Sequence, residues 1–326
     1  MKQKILTLLK QQQGYVSGQE ISNTFGVTRT AIWKYINALR EEGYEIESMT
    51  RKGYRLVNSP DFLSEEEIRN CLTENVLPGE LKIFDTIDST NEEAKRAFQR
   101  GAGDRSLYVS EEQTAGKGRR GRNWISPKGQ DVFFSFLLQP DLPPESASMI
   151  TLVAALAGVK AVEKHTSARC QIKWPNDLVI NGRKVCGILT EMSADMDQIH
   201  YVVPGIGFNL NRTEFDETIA SIASSVYVET GCKVERNAFL ADYVMEFMKR
   251  YDLFLKEQNL SAFMEEYNQH LINVGREVKI IRRNDEVIRK ALGINERGEL
   301  QVADESGTIE NVFSGEVSVR GLYGYV

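Results

Sequence analysis

The sequence predicts an α+β chain of several domains: a winged helix-turn-helix over residues 1–60, a central mixed sheet with helices over 61–273, and a small β-barrel over 274–326. Three patterns carry that expectation. The first segment holds three short helical periodicities followed by a basic hairpin. The middle mixes long helical patterns with strands in an irregular order, unlike strict βαβ alternation. From Val274 onward only short strands separated by polar or Gly turns remain.

In the first segment, Ile5, Leu8 and Leu9 stripe one helix. Ser17 caps a second, from Gly18 to about Phe25, and Gly26 makes the turn. Thr28 caps a third, with Ala31, Ile32, Tyr35, Ile36 and Leu39 facing inward. Gly43 ends it, and 44–50 and 54–57 read as strands around Arg51-Lys52-Gly53. The span from Gly18 to Asn37 is thus a helix-turn-helix. Its third helix turns Arg29, Thr30, Trp33, Lys34, Asn37 and Arg40 outward, residue types that reach phosphates and base edges in a major groove. Arg51 and Lys52 form a basic wing. A small docking domain with a solvated charged face is the other reading; an outward Trp33 favours a contact surface. One reader of this size covers a half-site, so a homodimer is expected.

Charge sharpens the division. Residues 1–60 carry nine basic and five acidic side chains, or +4, so the net −6 of the chain leaves −10 for 61–326. The acidic total excludes a wholly nucleic-acid-coating protein but not one basic domain. The break falls at Asn58-Ser59-Pro60-Asp61. The longest largely apolar run, 149–159, is too short for the ~20 residues of a membrane span and reads as a buried helix. The start of the chain shows no signal-peptide core, so a cytoplasmic location is expected. Cys71, Cys170, Cys186 and Cys232 form no CxxC, and His165, His200 and His270 stand apart. The expectation is free buried thiols in a reducing compartment and no resident metal.

In the middle, 148–165 and 237–256 are long helical patterns, and 107–110, 132–138, 179–180, 185–189 and 201–206 are strand-like. Asn181-Gly182 signals a type I′ hairpin. The last segment reads as strands 277–283, 287–294, 300–303, 308–313 and 316–320.

The segment Gly116-Lys117-Gly118-Arg119-Arg120-Gly121-Arg122 fits GxGxxG, but Pro127 and Gly129 prevent the helix that a dinucleotide fingerprint requires. GxxxxGK[ST] is missing as well. What remains is a loop of glycines and four cations suited to phosphate, mobile until an anion orders it; a basic surface loop is the alternative. Lys173-Trp174-Pro175-Asn176-Asp177 sets cation, aromatic, amide and carboxylate side by side at a strand end, and equally suits a core Trp followed by a turn. The hairpin returns Lys184 to that end, ahead of Gly187 in a strand. Gly205-Ile206-Gly207-Phe208-Asn209 ends another. Asp88-Ser89-Thr90-Asn91 opens a helix with Thr90 and Glu93 as a capping box, whose N–H groups also suit a polar head group.

In this order, Asp88–Asn91, Gln113 with the Gly-rich loop, the KWPND segment, Lys184 to Gly187 and Gly205–Asn209 resemble the biotin protein ligases of the bifunctional biotin operon repressor type. The resemblance covers essentially the whole chain. Lys117 departs from the family's usual Arg and loses its bidentate fork. The resemblance implies a central fold of the class II aminoacyl-tRNA synthetase/biotin synthetase type and a C-terminal SH3-like barrel. It implies that biotin and Mg·ATP give biotinyl-5′-AMP, from which biotin passes to a lysine of biotin carboxyl carrier domains. Acetyl-CoA carboxylase is the implied acceptor, with pyruvate carboxylase a further candidate. Biotinyl-5′-AMP is implied as corepressor of a homodimer on biotin operator DNA. By the same analogy Ser89, Thr90, Asn91, Gln113, Gly116, Lys117, Gly118, Arg119, Lys184, Gly187 and Gly207 hold biotin. Arg120, Arg122, Trp124, Asn176, Asn209 and Arg320 meet ATP or the adenylate. Lys184 and Arg119 act in catalysis, and Asp177 orients or deprotonates the carrier amine. A lipoate-type ligase and a ligand-sensing repressor without catalysis are the competing readings.

Overall fold

The computed structural model describes residues 1–326 except 13, 59–60, 74, 282–285, 315–317 and 322–324; for 318–320 it describes the backbone alone. Ser59 and Pro60 of the expected linker therefore lie outside the described residues. Contacts divide the chain into two compact units, Met1–Phe62 and Leu63–Val326.

The first unit runs α1 (Lys2–Gln11), α2 (Gly18–Phe25), α3 (Arg29–Glu41), β1 (Glu45–Met49) and β2 (Gly53–Asn58). Ser17 Oγ accepts the N–H of Glu20 and Thr28 Oγ1 that of Ala31, so both expected caps form. Gly26 ends α2 at φ 66°, a left-handed position that favours glycine. Ile5, Leu6, Leu9, Ile21, Ile32, Ile36 and Leu39 make one core with Val16. On α1 the buried stripe takes Leu6 where Leu8 was expected, and Leu8 is half-buried beside it. Tyr54 and Val16 exchange main-chain hydrogen bonds (2.8 and 2.9 Å), which tie the wing to the segment before α2.

The second unit begins with α4 (Glu65–Cys71), β3 (Leu81–Phe84), α5 (Thr90–Gln99), β4 (Ser106–Ser110) and β5 (Val132–Leu137). It continues with α6 (Ala147–His165), β6 (Gln171–Lys173), β7 (Asp177–Ile180), β8 (Arg183–Ala194), β9 (Ile199–Phe208), α7 (Val226–Thr230), α8 (Arg236–Glu257) and α9 (Met264–His270). Seven strands form one sheet in the order β3-β4-β5-β9-β8-β7-β6. β3 and β4 are parallel and the other pairs antiparallel, the mixed sheet that irregular element order predicts. The helix Pro144–His165 is long and apolar enough to cross a membrane by composition alone, yet most of it is buried inside the protein, where it packs on α8 and the sheet. Gly158 permits that approach: a Cβ there would lie 2.6 Å from Leu178 Cδ1. Tyr243 on α8 donates to the Ala154 carbonyl (2.9 Å).

The last five strands are β10 (Glu277–Ile281), β11 (Glu286–Ile294), β12 (Leu300–Ala303), β13 (Ile309–Val312) and β14 (Ser318–Gly321). They form one antiparallel sheet, β13-β12-β11-β10-β14. Among the described residues β13 and β14 remain edges, so the expected closed barrel is an open sheet. The reason is where its apolar face goes. Val278, Ile280, Ala291, Ile294, Leu300, Val302 and Val312 share the core cluster of the central sheet, which covers them without closure. Trp174 Nε1 also donates to the Gly298 carbonyl (3.0 Å). Accordingly no break between compact units falls at 273/274. Cys170 and Cys186 are buried, but Cys71 and Cys232 are exposed, against the expectation of four buried thiols.

Candidate functional site

The site forms where the start of α5 meets the β8–β9 ladder. Gly187 lies opposite Gly207, and Leu189 opposite Gly205. These glycines leave a bare strip that other side chains fill. An added Cβ would lie 1.8 Å from Asn91 Oδ1 at Gly205, 2.8 Å from the Trp124 ring at Gly187, and 2.4 Å from Trp124 Nε1 at Gly207.

Ser89, Thr90 and Asn91 are buried beside that strip. The expected capping box does not form: Ser89 is the N-cap, without a side-chain cap bond, and Thr90 is the first helical residue. Both the Thr90 N–H and hydroxyl donate to Gln113 Oε1 (2.9 and 3.1 Å), while Gln113 Nε2 donates to Ser126 Oγ (3.0 Å). Glu93 instead accepts from Arg96 Nε (2.9 Å) and Arg100. Asn91 Nδ2 donates to Glu191 (2.8 Å) and its Oδ1 accepts from Ser135 (2.6 Å). Side-chain bonds thus preset the polar wall. Arg96 clamps Asp88 with two bonds of 2.8 Å, holding that carboxyl down at about 2.

The Gly-rich segment folds into a small hairpin. The Gly118 N–H donates to the Arg122 carbonyl (2.7 Å) and that of Trp124 to Gly116 (2.9 Å). Arg120 (φ 58°) and Gly121 (φ 71°) make the turn. A Cβ on Gly116 would lie 2.5 Å from the Trp124 carbonyl, so this glycine serves the hairpin's closure. Lys117 is exposed and pairs with Glu92 (2.6 Å). Arg119 points inward: one end donates to Asn176 Oδ1 (2.9 Å) and the other to the Ser314 carbonyl (2.6 Å). Burial holds its guanidinium below the usual value. Arg120 and Arg122 are exposed.

The Asn181-Gly182 turn (φ 51° and 79°) sends β8 back along β7, as its type I′ signal predicts. Lys184 Nζ then lies 2.6 Å from Asp177 Oδ1 and 5.1 Å from the centre of the Trp124 ring. Burial alone would raise the Asp177 carboxyl. Lys184, Lys173 and the hydroxyl of Tyr325 outweigh it and hold the group below its usual value. Trp174, by contrast, is a core residue.

Two of the cavities among the described residues share Lys184. A small one of about 50 Å³ is lined by Ser89, Thr90, Asn91, Gln113, Lys117, Gly118, Arg119, Trp124, Asn176, Lys184, Gly187 and Gly207, among others. A larger one of about 600 Å³ takes in Arg120, Arg122, Asn209, Asp177 and Arg212. Both are bordered by Gly118, Arg119, Trp124, Asn176 and Lys184. The sequence places Trp124 with the nucleotide alone; it also walls the small cavity, and its Nε1 is buried without a hydrogen-bond partner among the described residues. Asn209 Nδ2 donates to the Ser224 carbonyl (2.9 Å) and its Oδ1 accepts from Arg212 (2.7 Å). The Arg320 side chain lies outside the described residues. Ser135, Glu191, Arg212 and Tyr325 went unread in the sequence, since none belongs to a motif.

On the first unit, Arg29, Thr30, Trp33 and Lys34 are exposed along α3, with Trp33 at 56%. Arg51 and Lys52 are exposed at the wing tip, and Asn37 is half-buried. Arg40 departs from expectation: its guanidinium donates to the Ile46 carbonyl (2.6 and 2.9 Å) and to Ser48 (2.6 Å), bracing α3 against β1.

Comparison with known proteins accords with these features. Residues 2–55 match an HTH domain, 83–209 the Biotin/lipoate A/B protein ligase family, and 274–320 the Biotin protein ligase C terminal domain. The Bifunctional ligase/repressor BirA of Bacillus subtilis is 36% identical over 307 residues, covering 94% of each chain. That of Escherichia coli is 29% identical, covering 97% of this chain and 96% of its own. The structure of a biotin protein ligase from Aquifex aeolicus in complex with biotin and ATP superposes with a TM-score of 0.65 at 30% identity, covering 74% of this chain and 99% of that one. The chain belongs to the family of bifunctional BirA ligase/repressors.

Proposed function

We propose that the protein joins biotin to the adenylyl group of ATP, releasing pyrophosphate, then passes it to a carrier lysine, and that with the adenylate bound it represses biotin genes. The observation that carries this reading is the pair of adjoining cavities that share Lys184, Arg119 and Trp124. A carboxylate in the small cavity and an α-phosphate in the large one meet at those two cations. Ser89, Thr90, Asn91, Gln113, Gly187 and Gly207 take biotin, with Gly116, Lys117 and Gly118 closing over it. Arg120, Arg122, Asn176, Asn209 and Arg320 take the nucleotide, which arrives as Mg·ATP.

The biotin carboxylate oxygen attacks the α-phosphorus, and the bond to pyrophosphate breaks. Lys184 and Arg119 offset the repulsion of two anions and the charge that develops between them. The carrier ε-amine then attacks the acyl carbon of biotinyl-5′-AMP, forming the amide and releasing AMP. Asp177 orients that amine or takes its proton. The small cavity, at about 50 Å³, has room for only a few water-sized molecules, so biotin entry requires the 116–125 hairpin and Trp124 to move.

We further read the chain as three modules, 1–60, 61–273 and 274–326, supported by the three matched families. The last is SH3-like in its run of short antiparallel strands. Biotinyl-5′-AMP acts as corepressor by favouring a homodimer that presents two α3 helices to a two-fold operator. The carrier domains are those of acetyl-CoA carboxylase and pyruvate carboxylase, and the protein works in the cytoplasm. The test is incubation with biotin, Mg·ATP and a carrier domain: biotinylated carrier and AMP are expected, and ligand binding without AMP release would overturn the reading.

A further inference from the structure

Tyr325 reaches the large cavity from beyond β14. Its hydroxyl donates to Asp177 Oδ2, while Asp177 Oδ1 takes Lys184 Nζ (2.6 Å) and Asn176 Nδ2 (3.2 Å). Lys173 Nζ lies 3.6 Å from the centre of the Tyr325 ring. Two glycines make room for the neighbouring Val326. A Cβ on Gly321 would lie 2.0 Å from the Val326 carbonyl oxygen, and one on Gly182, in the β7–β8 turn, 3.2 Å from a Val326 methyl. The segment is thus seated against the hairpin that presents Lys184.

A buried carboxylate facing several cations can rotate to chelate any of them. A hydroxyl on one oxygen fixes the group and leaves the other oxygen for a chosen partner. The aromatic face likewise fixes the Lys173 ammonium by cation–π attraction, opposite Asp177 on the neighbouring strand, where its charge also favours the ionised carboxylate.

We propose that Tyr325 is a positioning residue for the transfer step: its hydroxyl fixes Asp177 Oδ2 and its ring holds Lys173, so that Oδ1 serves Lys184 and the incoming carrier amine. The proposal rests on the ligase reading above. Asp177 is faced by Lys184 and Cys186 on β8, Lys173 on β6, Arg119 of the Gly-rich hairpin, and Tyr325. The Tyr325 hydroxyl favours the ionised carboxylate, so removing it raises the pH at which Asp177 gains a proton.

The test uses the full chain as wild type, Tyr325→Phe and Tyr325→Ala, with preformed biotinyl-5′-AMP and a carrier domain, in single turnovers across pH. Tyr325→Phe keeps the ring on Lys173 and loses only the hydroxyl. It is expected to move the acid limb of the transfer rate upward by about one pH unit, costing roughly tenfold on that limb, and to match wild type on the plateau. Tyr325→Ala is expected to lower the plateau as well. A profile that superimposes on wild type, or a uniform loss without a shift, overturns the proposal. Carboxyl ¹³C NMR of Asp177 gives a readout independent of turnover, and an unchanged titration in Tyr325→Phe overturns the proposal too. A wild type that makes no biotinyl-5′-AMP from biotin and Mg·ATP counts against the ligase reading, and the NMR titration alone then decides the contact.

Discussion

Lys184 stands between Asp177 and the Trp124 ring, at the border of both cavities. Its compact ammonium suits a place between two oxyanions. Lys184→Ala is expected to lower adenylate formation by about 100-fold or more while the thermal melt stays cooperative, since Lys173 and Tyr325 still face Asp177. Near-normal pyrophosphate release would defeat the role assigned. Gly207→Ala tests the wall of the small cavity. The new Cβ would lie 2.4 Å from Trp124 Nε1, so the indole must shift. The expected outcome is a rise of about 10-fold or more in the KM for biotin; an unchanged KM would detach Trp124 from that cavity. Lys184, Arg119 and the strand glycines were readable because cations and glycines in strands are conspicuous. Ser135 was not, because a serine within Phe133-Phe134-Ser135-Phe136 looks like core, and only the sheet brings it to Asn91.

At the scale of elements, local chemistry was the legible part. The caps Ser17 and Thr28, the Gly26 stop and the Asn181-Gly182 turn act within a few residues and appear where the sequence places them. The Thr90–Glu93 box did not form because Thr90 is the first helical residue and turns to the distant Gln113, while Glu93 pairs with Arg96 and Arg100 farther along its own helix. Short pieces such as β3, β6 and α7 carry too little pattern to be read alone, and neighbouring strands or loops define them. Helix α3 gives the element-level prediction. Trp33→Ala and Arg51→Ala should each weaken operator binding measured by fluorescence anisotropy, and leave ligation within about twofold. If Arg51 meets a phosphate, its loss should lower the salt slope by about one. An equal fall in ligation would show that α3 and the wing serve the catalytic unit.

Over the whole molecule, charge division proved more informative than the net value. The unit Met1–Phe62 has its own core and exposes Arg29, Lys34, Arg51 and Lys52, as a reader of phosphates requires. The larger unit is acidic overall yet concentrates cations at the joined cavities. The five C-terminal strands lie where the sequence places them, but alternation tells which face is apolar, not what covers it. Here the central sheet's core does so, and the strands stay open among the described residues. The central claim is that biotin's carboxylate and the α-phosphate of ATP meet at Lys184 and Arg119. Exchange of labelled pyrophosphate into ATP, with the full chain and either biotin or lipoate, tests it most directly. Label should enter ATP with biotin and not with lipoate; exchange supported by lipoate alone, or biotin binding without exchange, would contradict the account.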